Sequence, residues 1–224
     1  MATRILLADD HLVVRQGLRS LLEQGGFAVV GEATDGHDAV RLARSVRFDV
    51  AVLDVSMPRM NGIDAAREIL SFAAGSRIVV LTVHTEERQI ADALRAGIRG
   101  YIVKTQAADE LINAIREVAA GGTYLSPRVS GVLLTAYLSG NPIGDDLLTV
   151  RERQVLQLIA EGKTTKEVAD VIGVTAKTAE CYRSRLKTKL GIHDTAGLVR
   201  YAIRHGVIQL SAAWYFDVVS VLTL

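Results

Sequence analysis

The sequence contains one cysteine, Cys181, among 224 residues, so a disulfide bond within the chain is excluded. A single cysteine suits a reducing compartment, and we expect a cytoplasmic protein. The first residues lead directly into a short apolar segment and lack the layout of a secretory signal peptide. No run of about 18 uninterrupted apolar residues occurs, which predicts that no segment spans a membrane.

The sequence also has almost no net charge, because 26 Lys and Arg residues balance 25 Asp and Glu residues. Overall charge therefore favours no class of partner, and any basic patch must be local. Hydrophobic residues make up 49% of the chain and charged residues 23%, which is enough apolar material for a globular core. The length allows one or two domains.

Five short apolar runs alternate with segments of helical periodicity in the first half of the chain. The runs are Ile5–Ala8, Ala28–Gly31, Val50–Leu53, Ile78–Leu81 and Tyr101–Val103. Apolar runs without polar alternation are typical of strands that are buried on both faces. Their alternation with helices predicts an α/β domain over residues 1–121, with a doubly wound, five-stranded parallel sheet.

Over residues 147–210 the strand pattern does not return, and helix signals replace it. Thr149–Glu152 and Thr164–Glu167 match the capping box, in which a hydroxyl and a carboxylate satisfy exposed helix N–H groups. Further helices are expected after Thr175 and Asp194. These signals predict an all-α domain of four helices.

Two segments lie outside these domains. Residues 122–146 contain Ser126-Pro127, a typical helix start, and are expected to form a partly helical linker. Residues 211–224 form an apolar tail that holds the only tryptophan. Packing of the tail on the helical domain, packing on a dimer partner, and an unpacked extension all remain open, and no role follows from its sequence.

Polar residues stand at the carboxyl ends of four predicted strands: Asp9 and Asp10, Asp54, Thr82, and Lys104. Because the carboxyl ends of parallel strands line one crevice, these side chains should converge. Three clustered carboxylates repel one another unless a cation lies among them, and their hard oxygen atoms suit Mg²⁺. The ammonium and hydroxyl groups would hold a phosphoryl group, with Asp54 as the carboxylate nucleophile.

This pattern resembles the receiver domain of two-component response regulators over residues 3–121, and Met57-Pro58 and Gly62 are further matches. The resemblance implies a flavodoxin-like fold. It also implies that Asp54 accepts a phosphoryl group from a sensor histidine kinase. The implied Mg²⁺ ligands are Asp10, Asp54, the backbone carbonyl of Ser56 and, in an assisting role, Asp9.

The same resemblance assigns roles to three more residues. Lys104 would pair with a phosphoryl oxygen, Thr82 would turn towards the phosphoryl group, and Tyr101 would change rotamer with it. The proline that usually follows the lysine is replaced by Thr105, which leaves the cis or trans state of that peptide bond open.

The helix expected after Thr175 has an apolar side and an opposite side rich in basic residues. The apolar positions are Ala179, Tyr182, Leu186 and Leu190. Such a helix can enter the major groove of DNA, although a solvent-exposed amphipathic helix shows the same charge pattern.

Four segments resemble the LuxR-type helix-turn-helix: Leu148–Leu156, Ala160–Ala169, Val174–Thr178 and Lys189–Gly191. With the receiver, the arrangement is similar to the NarL/FixJ group, in which the third helix of this domain reads DNA and the fourth often forms the dimer contact. The candidates for contact with base edges are Lys177, Glu180, Cys181 and Ser184. The candidates for phosphate contacts are Arg183, Arg185, Lys187 and Lys189.

Together these features predict a DNA-binding regulator, not an enzyme, that forms a homodimer when phosphorylated on Asp54. Phosphorylation would free the recognition helix, promote dimerisation, or both. An aspartyl-phosphate hydrolase is the enzymatic alternative, but such enzymes usually carry a second aspartate where this chain has Ser56. Ser56 and His84 are instead expected to border the path of the attacking water. The acidic pocket disfavours a phosphate-independent receiver, and the helical domain disfavours a receiver that acts through protein contacts alone.

Overall fold

The computed structural model describes residues 2–83, 86–104, 108–138 and 148–208. The chain divides into two compact units, Met1–Val150 and Arg151–Leu224. Within the described ranges, no helix combines the length and the apolar character needed to cross a bilayer.

The first unit contains a parallel sheet with helices between its strands. The strands are β1 (Arg4–Ala8), β2 (Ala28–Ala33), β3 (Val50–Asp54), β4 (Arg77–Thr82), β5 (Gly100–Val103) and β6 (Tyr124–Leu125). The helices are α1 (Leu12–Gln24), α2 (Gly36–Ser45), α3 (Gly62–Phe72), α4 (Glu87–Arg95), α5 (Ala108–Ala119) and α6 (Pro127–Leu138). The strand order is β2-β1-β3-β4-β5-β6, and every neighbouring pair is parallel. The predicted α/β fold is confirmed, with one short strand more than expected.

The central strands are buried on both faces of the sheet. Alternate residues belong to two separate apolar clusters, so that Leu53 packs on one face and Val52 on the other. All five residues of β3 are buried. This burial explains why the strands lack polar alternation in the sequence.

The segment that we expected to be a linker adds a strand and a helix to the first unit. Leu125 of β6 pairs with Tyr101 of β5, and the Ser126 N–H donates to the Tyr101 carbonyl at 3.0 Å. Val129 of α6 is fully buried in the same cluster as Tyr101. The Ser126 hydroxyl, expected to cap α6, has no hydrogen-bond partner among the described residues.

The second unit is built, in its described part, from four helices: α7 (Val150–Ala160), α8 (Thr165–Ile172), α9 (Ala176–Leu190) and α10 (Thr195–Arg204). The capping box predicted at Thr164 is present, with the Thr164 N–H donating to Glu167 Oε2 at 2.8 Å. Gly173 and Gly191 end α8 and α9 with φ of 69° and 64°, a backbone region that favours glycine. The apolar tail, residues 211–224, lies outside the described residues.

Replacing Thr164 with alanine should lower the free energy of unfolding of the second unit by about 1 kcal/mol. The hydroxyl accepts a hydrogen bond from the Glu167 N–H, which would otherwise be unsatisfied at the helix terminus. Urea denaturation of the full chain followed by circular dichroism measures the change. Thr188→Ala, an exposed substitution inside α9, is the control and should be neutral or slightly stabilising. Equal stability of the two variants would contradict the capping role.

Candidate functional site

The acidic pocket lies at the carboxyl ends of β1, β3 and β5, as the sequence predicted. Lys104, directly after β5, places its Nζ 2.8 Å from Asp9 Oδ2 and 2.8 Å from Asp54 Oδ2. Asp9 and Asp54 are almost completely buried. The ammonium therefore bridges two carboxylates that have little access to water.

Burial and charge act in opposite directions on these groups. Burial raises the pKa of Asp54, while the adjacent Lys104 lowers it by less. Burial lowers the pKa of Lys104, but Asp54 and Asp9 together raise it above its ordinary value. Asp10 adds a third carboxylate beside this single ammonium, so the pocket carries excess negative charge.

This pocket fits a divalent cation. Ligand atoms of Asp9, Asp10, His11 and Asp54 all lie within 4.8 Å of one another. Oδ1 of Asp10 is buried and accepts no hydrogen bond from the described residues, although His11 Nδ1 lies 2.8 Å away. A buried carboxylate oxygen beside two further carboxylates is a suitable donor set for Mg²⁺. His11 was not expected at this site, although its position next to the aspartate pair was an available signal.

Ser56 lies next to the pocket through its backbone. Its N–H donates to Asp54 Oδ1 at 3.3 Å, which adds a fixed dipole directed at the carboxylate. Its side-chain hydroxyl is buried and has no partner among the described residues. His84, expected beside Ser56, and Thr105, after the pocket lysine, lie outside the described residues.

Thr82 and Tyr101 form a buried polar chain that starts beside the pocket. The Thr82 carbonyl accepts a hydrogen bond from the Lys104 N–H at 2.6 Å, which fixes these two strand ends side by side. The Thr82 side chain is hydrogen-bonded to Tyr101, and burial raises the pKa of the Tyr101 phenol far above its ordinary value. The neutral Tyr101 hydroxyl donates to Gln89 Oε1 of α4 at 3.4 Å. Nothing in the sequence pattern indicated a role for Gln89.

The loop after Asp54 is held tightly against β3. The Gly62 N–H donates to the Val55 carbonyl at 3.1 Å, and a Cβ at Gly62 would lie 2.2 Å from the Asp54 carbonyl oxygen. Arg59 has a φ of 65°, and its guanidinium forms an ion pair with the buried carboxylate of Asp35. The glycine is therefore required by close approach, and the loop that carries Ser56 is anchored to the start of α2.

In the second unit, α9 has the two sides that the sequence predicted. Ala179 and Leu186 are fully buried, whereas Tyr182 and Leu190, which were also expected on the apolar side, are half-buried. The four candidates for base contact, Lys177, Glu180, Cys181 and Ser184, are all exposed. Among the phosphate-contact candidates, Arg185 and Lys189 are exposed and Arg183 and Lys187 are half-buried.

Three of these side chains already have hydrogen-bond or ion-pair partners. Arg183 Nη2 donates to Thr195 Oγ1 at 2.7 Å, and Lys189 Nζ pairs with Glu152 Oε2 at 2.7 Å. Glu180 Oε2 accepts a hydrogen bond from Thr165 Oγ1 at 3.2 Å. A phosphate contact by Lys189 must therefore compete with the Glu152 carboxylate.

Both parts of the chain match known protein families. Residues 5–116 match the response regulator receiver domain, and residues 146–202 match the bacterial regulatory proteins of the luxR family. The transcriptional regulatory protein MctR of Rhizobium johnstonii is 39% identical over 92% of this chain and 95% of its own length. The response regulator UvrY of Escherichia coli is 37% identical over 91% of this chain and 94% of its own.

The chain belongs to the LuxR family of two-component response regulators. This response regulator combines a receiver with a LuxR-type DNA-binding region, as the sequence predicted. Among solved structures, RcsB from Salmonella enterica serovar Typhimurium, bound to the rprA promoter with the phosphomimetic BeF₃⁻, is 28% identical. That comparison has a TM-score of 0.62 and covers 90% of this chain and 98% of the RcsB chain.

Gly62→Ala should destabilise the receiver of this response regulator by about 1–3 kcal/mol, because the new methyl group meets the backbone at the end of β3. Gly17→Ala is the matched control, because a Cβ at that position in α1 has nothing within 4 Å. The control should stabilise the protein by about 0.5–1 kcal/mol through helix propensity. Thermal unfolding of the full chain distinguishes the two variants. Equal effects of both substitutions would refute the steric argument.

Proposed function

We propose that this response regulator is phosphorylated on Asp54 by a sensor histidine kinase, and that phosphorylation controls its dimerisation and its binding to double-stranded DNA. The observation that carries the proposal is the position of the buried Asp54 carboxylate, 2.8 Å from the Lys104 ammonium, in a chain that also holds a LuxR-type DNA-binding region. In the transfer, an Asp54 oxygen bonds to phosphorus as the phosphorus–nitrogen bond of the kinase phosphohistidine breaks.

The acidic residues of the pocket would hold Mg²⁺ through Asp10, Asp54 and the Ser56 carbonyl, with Asp9 assisting. Bound Mg²⁺ would supply positive charge against the phosphoryl oxygens. Lys104 would leave its bridge to Asp54 and pair with a phosphoryl oxygen instead. The Ser56 N–H, now directed at Asp54 Oδ1, would remain beside the acyl phosphate.

Phosphorylation would affect residues outside the pocket through the buried polar chain of Thr82, Tyr101 and Gln89. If the Thr82 hydroxyl turns to a phosphoryl oxygen, it gives up its hydrogen bond to Tyr101. The Tyr101 phenol then changes rotamer and loses its bond to Gln89 on α4. Phosphorylation thus favours a second receiver state through differential hydrogen bonding, as a population shift requires.

In the LuxR-type DNA-binding region, α9 would lie in the major groove of DNA, and a symmetric dimer would read two half-sites. RcsB, a relative of the same family, has been solved bound to the rprA promoter, and this supports DNA binding by the present chain. The protein would act by binding and not by catalysis, and a cytoplasmic location would give it access to its DNA partner. No membrane partner is proposed.

Phosphodonor should change the DNA footprint of the wild-type protein and leave that of Asp54→Ala unchanged. Footprinting on genomic DNA with and without acetyl phosphate and Mg²⁺ measures the difference, and removal of Mg²⁺ by a chelator should abolish the wild-type response. Glu23→Ala, which removes an exposed surface carboxylate, is the control and should respond like wild type. A response of Asp54→Ala equal to that of wild type would disprove the switch.

Lys187→Ala should weaken binding to every DNA sequence and reduce the slope of log affinity against log salt by about 1, because one phosphate contact is lost. The Lys187 ammonium has no hydrogen bond or ion pair within the described residues, so the substitution breaks no polar contact there. Lys187→Arg keeps the charge and should keep the slope. Fluorescence anisotropy across a salt series gives both values. A changed base preference at constant slope would contradict the phosphate role.

A further inference from the structure

Glu180 is the only acidic residue of α9, a helix that otherwise carries five lysine and arginine residues. It lies on the exposed side, with Lys177 one turn before it and Ser184 one turn after it. A carboxylate on a helix that approaches DNA is repelled by the phosphate backbone. A directional contact with a base would offset this repulsion.

The major groove offers few donors to a carboxylate. Cytosine presents the N4 amino group, whereas guanine presents only acceptors, and adenine presents its amino group beside the N7 acceptor. A carboxylate accepts from cytosine without meeting a second acceptor on the same base edge. Glutamine, with both a donor and an acceptor, suits adenine instead.

Thr165 holds the Glu180 side chain in place. Its hydroxyl donates to Glu180 Oε2 at 3.2 Å, and it is the first residue of α8, whose start is fixed by the Thr164 capping box. Glu180 makes no other hydrogen bond to the described residues, so Oε1 is available to a ligand. A carboxylate that is already oriented loses less side-chain entropy when it binds.

We propose that Glu180 is a specificity-determining residue that selects a cytosine at one position of each half-site by accepting a hydrogen bond from its N4 amino group. Thr165 is a positioning residue that orients the carboxylate. The assignment rests on the proposed DNA-binding function, because it names the base that one side chain of α9 recognises.

The test is selection from duplexes with a random core, using the full-length protein activated with acetyl phosphate and Mg²⁺. Wild type should enrich a motif with C·G at the position read by Glu180, preferred by about fivefold or more over the other pairs. Glu180→Gln should change that position to A·T and leave the rest of the motif intact. Glu180→Ala should remove the preference there and strengthen binding to unrelated DNA.

Two further variants separate recognition from charge and folding. Asp170→Asn removes an exposed negative charge from α8 and should leave the motif unchanged. Thr165→Val should keep cytosine as the preferred base but reduce the discrimination, with unaltered thermal unfolding. A motif that is identical for wild type, Glu180→Gln and Glu180→Ala overturns the Glu180 assignment alone. Wild-type protein that enriches no motif overturns the proposed function and this assignment together.

Discussion

The contact between Lys104 and the two buried carboxylates organises the receiver. Asp9, Asp54 and Lys104 come from three different strand ends, and the ammonium lies 2.8 Å from an oxygen of each aspartate. Two buried carboxylates that contact the same ammonium could not both be ionised without that cation. The same interaction leaves the pocket short of positive charge once Asp10 is included. The arrangement that holds these strand ends together therefore also prepares the pocket for a divalent cation and a phosphoryl group.

The sequence predicted this pocket well because its members are defined by their place at strand ends. Asp9, Asp54 and Lys104 each follow or end an apolar run, and a parallel sheet brings such positions together. His11 and Gln89 were missed because their roles depend on the directions of their side chains, which cannot be predicted from the periodicity of apolar residues in the sequence. The ion pair between Arg59 and Asp35 joins residues 24 positions apart, a contact that only the tertiary fold defines. Strand β6 was missed because two residues are too short for a periodic signal.

The two units use charge in contrasting ways. In the receiver pocket, the buried carboxylates of Asp9 and Asp54 are both paired with Lys104, so each group fixes the position of another. On α9 most charged groups are exposed, and only a few contacts, such as Thr165 with Glu180 and Arg183 with Thr195, limit their freedom. Long-range attraction to DNA needs only the exposed cations, whereas discrimination between bases needs side chains with fixed orientation. The hydrogen bond that orients Glu180 therefore marks where discrimination between bases is expected.

Strand β6 and helix α6 determine where the receiver can be separated from the rest of the chain and joined to another domain. A fragment that ended at residue 121 would leave β5 as an unpaired sheet edge and would uncover the site filled by Val129. Unpaired edges of this kind promote self-association. The natural module for exchange between regulators thus extends through Leu138. Chimeric sensors that join this receiver to another output domain should retain the whole β6–α6 segment.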